Sequence, residues 1–80
     1  MSTTCLDYEL QVEKARETVK MLEEKLRNVR SQLDQKPEDA IFRRELKQLT
    51  LDMKITMNEL EHAQGELHVC RTRINTLASA

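Results

Sequence analysis

Residues 20–49 read KMLEEKLRNVRSQLDQKPEDAIFRRELKQL, and this stretch decides the fold of the chain. On both sides of Pro37, apolar residues recur at alternating steps of four and three. A repeat of 3.5 residues keeps one narrow stripe of a helix turned toward a partner helix while the two coil around each other. The stretch therefore predicts two coiled-coil helices with a break near Pro37.

The same spacing extends from the proline almost to both ends of the chain. We call these two rows of residues the seam, and Thr56 is their one polar member. The first row comprises Cys5, Tyr8, Val12, Ala15, Val19, Leu22, Leu26, Val29 and Leu33. The second row comprises Phe42, Leu46, Leu49, Met53, Thr56, Leu60, Ala63, Leu67, Cys70, Ile74 and Leu77.

Composition independently favours an all-α chain. The 80 residues include one Gly, one Pro, no Trp, one Tyr and one Phe, and 34% are charged. So few aromatic and turn residues disfavour a sandwich, a barrel or an α/β core, whereas Leu, Glu, Lys, Arg, Gln and Met lose little rotamer freedom in helices. We predict a single coiled-coil module over residues 1–80, with helix one at about 4–34, a turn at about 35–37 and helix two at about 38–77.

Local signals suggest where each helix begins. Thr4, three residues before Asp7, resembles a capping box, which would place it at the start of helix one. Pro37 is predicted to open helix two, because proline is well placed in a first turn. The seam also resumes one residue out of phase after Leu33, so the two rows do not form one continuous stripe.

Two architectures are compatible with this break. In an antiparallel hairpin, paired seam residues should have a constant sum of residue numbers, and a sum of 75 pairs Leu33 with Phe42 and places the midpoint beside Pro37. The same register brings Cys5 opposite Cys70, and Met1 opposite Ile74. The alternative is a parallel dimeric coiled coil with a break near Pro37, in which Lys25 would face Arg30 of the other chain. We favour the hairpin.

Several apolar residues lie outside the seam. Ile41, Leu51, Ile55, Met57 and Val69 are candidate partner-binding residues on helix two. A two-helix hairpin buries one stripe per helix, so its apolar burial barely offsets the entropy lost on ordering. We therefore expect a homo-oligomer, in the simplest case a dimer of hairpins with four helices. On helix one, Leu6, Leu10 and Met21 are also off the seam.

Other functional classes are disfavoured by the sequence. A net charge of −1 argues against a nucleic-acid partner, and no run approaches the length of a membrane-inserted helix. We expect no catalytic residues, no metal ligands and no cofactor, and hence no enzyme. The first ten residues lack the features of a secretory signal, and two cysteines do not suggest a disulfide framework, so we expect a cytoplasmic, reducing location.

The leading functional prediction is a protein–protein interaction and oligomerisation module, as a fragment of a larger scaffold or adaptor protein. In length and seam pattern the chain is similar in architecture to the HR1 repeats of Rho effectors, a resemblance that implies a small GTPase as a possible partner. No specific motif accompanies the resemblance, and no residue role is transferred. A third interpretation is a rod segment of a cytoskeletal or centrosomal coiled coil, which would require the parallel register.

Overall fold

The protein consists of two α-helices packed against each other. A computed structural model describes residues 4–79, and their side chains up to residue 76. Helix α1 spans Leu6–Gln35 and helix α2 spans Ala40–Ser79. The molecule is a rod with dimensions of 63 × 17 × 14 Å. The prediction of an all-α chain folded into a helical hairpin is confirmed.

Helix α1 begins two residues later than the sequence suggested. Cys5, rather than Thr4, occupies the cap position, and it makes no capping hydrogen bond through its side chain. The placement of Thr4 at the helix start was therefore wrong. Acidic residues in the first turn, Asp7 and Glu9, favour this end of the helix because backbone N–H groups make it electropositive.

The turn is longer than predicted and is closed by an aspartate. The Oδ1 atom of Asp39 accepts hydrogen bonds from the backbone N–H groups of Ile41 at 2.9 Å and Phe42 at 3.1 Å. Asp39 thus satisfies two donors that a helix start leaves free. Helix α2 consequently begins at Ala40, and the prediction that Pro37 opens it was wrong. The Pro37 carbonyl instead accepts a hydrogen bond from Nε of Arg43 at 3.0 Å.

The two rows of the seam meet in the register whose residue numbers add to 75. At the open end of the hairpin, Cys5 and Cys70 form a disulfide, with their Cα atoms 6.1 Å apart. Every seam residue from Cys5 to Ile74 is buried or half-buried. The side chain of Leu77 and the proposed pair of Met1 with Ile74 lie outside the described residues.

The core between the helices is divided into two apolar clusters. The cluster near the open end contains Cys5, Val12, Ala63 and Leu67, with Tyr8, Leu60, Cys70 and Ile74 packed around it. The cluster near the turn contains Leu22, Leu26, Val29 and Leu49, with Leu33, Phe42, Leu46 and Met53 packed around it. Thr56, the buried polar member of the seam, lies along α2 between the two clusters. The hairpin is therefore held by a narrow, two-part core.

Candidate interaction surface

The predicted partner-binding residues lie on α2, and their side chains are exposed. Ile41 is 74% exposed, while Leu51 and Ile55 are about half exposed. Leu51 and Ile55 are one helical turn apart, so their side chains are neighbours on the face turned away from the seam. Leu51 and Ile55 therefore form the apolar centre of an outer stripe on α2.

Met57 and Val69 do not join this pair. Met57 sits at the flank of the seam, next to the buried Thr56, and Val69 lies 14 residues beyond Ile55, or about 21 Å along the helix. Both are 48% exposed. The structure therefore brings Leu51 and Ile55 into one surface and leaves Met57 and Val69 as isolated exposed residues, which are ordinary on protein surfaces.

Basic side chains surround the apolar centre of the outer stripe. A shallow groove beside Leu51 is lined by Arg43, Arg44, Lys47 and Lys54 as well as by uncharged residues. Among the residues that the structure describes, no ion pair involves Arg44, Lys47 or Lys54. The sequence explains this, since none of the positions three or four residues away from them carries a carboxylate.

This basic character was missed at the level of the sequence. Glu45 and Asp52 are interspersed with these bases along the chain, so the local net charge does not reveal the basic character. On the helix, however, those two acids project about 100° or more away from Leu51, given 100° of rotation per residue. The sequence feature that predicts the basic character is the absence of an acid three or four residues from Arg44, Lys47 and Lys54.

Helix α1 carries an outer stripe that includes two acids. Leu6 and Leu10, again one turn apart, are 54% and 52% exposed, and Met21 is exposed farther along the helix. Glu13 and Glu17 continue the same face and are also exposed. Each helix of the hairpin thus presents two neighbouring apolar residues, with Glu13 and Lys14 one turn beyond Leu10 on α1 and bases beside those on α2.

The other polar contacts are exposed. Nη2 of Arg71 lies 3.3 Å from Oε1 of Glu9 and links α2 to α1 near the disulfide. Nε2 of His62 lies 2.8 Å from Oε1 of Glu66 within α2. Within residues 4–79, no group of three His, Cys, Asp or Glu side chains is placed to hold a metal ion. In the same part of the chain, no helix is both long and apolar enough to cross a membrane.

Comparison of the chain with protein-family models, curated proteins and solved structures finds no match.

Proposed function

We propose that the protein is a self-associating interaction module, in which helical hairpins pack against one another through their outer faces. The observation that carries the proposal is the pair of exposed apolar centres, Leu6 with Leu10 on α1 and Leu51 with Ile55 on α2. Four large apolar side chains about half exposed on a 9.4 kDa chain would gain from removal from water. The module acts by binding rather than by catalysis.

The thin core also supports self-association. Among the side chains of residues 4–76, eight apolar ones are buried, and they lie along a single seam. Small scaffolds commonly compensate for so little core by adding a disulfide, a metal or a second chain. This hairpin has one disulfide, and a second chain would add the apolar burial that a disulfide does not supply. Packing of at least two hairpins, to give four helices, would turn a one-sided stripe on each helix into a larger shared core.

Sedimentation velocity from micromolar to millimolar concentration tests this proposal. We expect the average mass to rise above that of one chain, and the free energy of unfolding to increase with protein concentration, because association stabilises the folded form. A single species of 9.4 kDa across the whole range would refute self-association.

A small GTPase is the second candidate partner. The support is the hairpin architecture together with the exposed Leu51 and Ile55 on one face of α2. Pull-down with Rho-type GTPases loaded with GDP or with a GTP analogue tests it. Binding that requires the GTP-like state and is lost in Leu51→Asp would support an effector role. Equal or absent binding in both states would remove this candidate.

A cytoplasmic location is the last part of the proposal, and it is tied to Cys5 and Cys70. Two cysteines in 80 residues are compatible with a reducing compartment, where disulfides are rare. In that setting the disulfide that joins Cys5 to Cys70 in the structure would be reduced to two thiols, which pack in the seam as small apolar groups. Alkylating cells at lysis, before and after reduction, would measure the thiol fraction. A fully oxidised pair in the cell would contradict a reducing location.

A further inference from the structure

Resting on the proposed self-association, we propose that the outer stripe of α2 docks on the outer stripe of α1 from a second copy of this chain. The stripe on α2 comprises Arg44, Gln48, Leu51 and Ile55, and the stripe on α1 comprises Leu6, Leu10, Glu13 and Glu17. All eight side chains are exposed in the hairpin. When docked, the two stripes form a coiled coil between two molecules, in addition to the seam within each hairpin.

The spacing of the two stripes matches. Residues 6, 10, 13 and 17 are separated by steps of four, three and four, and so are residues 44, 48, 51 and 55. In an antiparallel pairing, each layer of this seam has residue numbers that add to 61. The layers join Leu6 with Ile55, Leu10 with Leu51, Glu13 with Gln48, and Glu17 with Arg44. This alternation of steps is the one that keeps a coiled-coil stripe facing its partner.

Charge complementarity selects the same register. Arg44 meets Glu17 of the second copy, whereas Lys47 is level with Lys14 of the second copy and gains no acidic partner. In the hairpin, Arg44 and Lys47 are three residues apart and have no acidic neighbour at helical spacing, so they repel each other. Docking of the α1 stripe places Glu17 opposite Arg44, and this one attractive pair offsets the repulsion at Arg44.

Registers displaced by one heptad fit worse. With a sum of 68, Leu51 would face Glu17 and Ile55 would face Glu13, which buries carboxylates against apolar side chains. With a sum of 54, Arg44 would face Leu10, and Leu51 would be level with residue 3, before the first residue of α1, so it would have no helical partner. Pairing α2 with another α2 about Leu51 would bring Lys47 and Lys54 of both copies together with no acid between them.

The docked arrangement accounts for most of the exposed apolar surface. Eight large apolar residues are exposed among the described side chains, and Leu6, Leu10, Leu51 and Ile55 are four of them. In the next layer Ile41 faces Lys20 of the second copy, and Met21 lies beside that layer at its flank. A copy whose two stripes are both docked therefore has four of these eight residues in layers and two more at or beside the last layer.

The geometry predicts a staggered, open assembly. Leu51 is level with residue 24 of its own α1 and with Leu10 of the second copy, so the copies are offset by 14 residues, or about 21 Å along the rod. The stripes lie on opposite edges of each hairpin, so a docked pair keeps one free α1 stripe and one free α2 stripe. A heterologous contact that includes such a translation does not close on itself. Association should therefore continue beyond two copies.

Charge exchange tests this contact in the full chain. We expect Arg44→Glu and Glu17→Arg each to weaken self-association about tenfold or more, because each places like charges in one layer. Mixing the two variants should restore it, since either variant then offers the complementary charge to the other. The double variant should also regain self-association. Arg73→Glu makes the same change of charge on α2 outside the stripe and serves as the control.

The apolar layers provide a second measurement. Leu10→Gln and Leu51→Gln should each weaken association at least as strongly as the charge changes, while far-ultraviolet circular dichroism of the dilute hairpin stays unchanged. Sedimentation velocity of the wild-type chain should show an average mass that keeps rising past two copies. Restoration in the mixture together with this growth supports the staggered contact.

The contrary outcomes separate this contact from self-association itself. A wild-type chain that never associates refutes both. Association that ignores all four substitutions, or that stops at a closed dimer, overturns the staggered contact and leaves self-association intact. Binding of the chain to anionic phospholipid vesicles is the last measurement. Binding to them that is lost in Arg44→Glu, with association unchanged, would assign the α2 stripe to a membrane surface and overturn docking by a second copy.

Discussion

Cys5 and Cys70 are 65 residues apart in sequence, and their Cα atoms are 6.1 Å apart at the open end of the hairpin, where the two side chains form a disulfide. This bond joins the residue before α1 to a residue near the end of α2. The turn at Pro37 closes the opposite end of the rod. The long seam between them is therefore constrained at both ends.

Reduction of this disulfide should lower the stability of the hairpin considerably. A cross-link that closes a loop of 65 residues removes chain entropy from the unfolded state, worth about 4 kcal/mol in the loop-closure model. We expect Cys5→Ser and Cys70→Ser to lower the free energy of unfolding by a similar amount in urea titrations. The wild-type chain in excess reductant serves as the control and should show the same loss. A urea midpoint equal to that of the oxidised wild-type chain would contradict the prediction.

Loss of the aspartate cap should destabilise α2 at its first turn. Asp39→Ala removes the acceptor of two backbone hydrogen bonds, which should cost about 1 kcal/mol. Glu38→Ala, one residue earlier and exposed, should change stability by less than about 0.5 kcal/mol. Thermal unfolding of both variants measures the difference. Equal effects of the two substitutions would mean that the carboxylate at residue 39 does not act as a cap.

The buried seam and the outer stripe should respond differently to the same truncation. Leu26 is 7% exposed and Leu51 is 52% exposed. We expect Leu26→Ala to cost about 2–5 kcal/mol in the dilute hairpin because it leaves a cavity. Leu51→Ala should cost less than about 0.5 kcal/mol there. Urea titrations at low protein concentration compare the two. A larger loss for Leu51→Ala would show that the stripe already supports the isolated hairpin.

Replacement of the single glycine should stabilise the protein. Gly65 lies inside α2, and an added Cβ atom would meet nothing within 4 Å. Gly65→Ala removes the extra backbone freedom of glycine and should raise the free energy of unfolding by up to about 1 kcal/mol. Gln64→Ala, at the neighbouring exposed position, should have a smaller effect. A decrease in stability for Gly65→Ala would indicate that another molecule approaches the backbone there.

The helices and their register were accessible from the sequence for a physical reason. Helix formation by Leu, Glu, Lys and Arg is local, and the 3.5-residue spacing of residues such as Leu22 and Leu26 identifies the buried side of each helix. Once the chain reverses near Pro37, the position of the reversal determines which residues meet. The pairing of Cys5 with Cys70 could therefore be predicted by arithmetic alone.

Only the tertiary structure decided the ends of the helices and the character of their outer faces. Thr4 has suitable chemistry for the start of α1, yet Cys5 occupies the cap position there. Pro37 has suitable chemistry for the start of α2, yet a carboxylate oxygen of Asp39 lies within 3.1 Å of two free N–H groups and fixes the start at Ala40. Exposure likewise depends on what packs nearby. Leu49 and Leu51 are chemically identical and two residues apart, yet the first is buried and the second is half exposed, because only one of them faces α1.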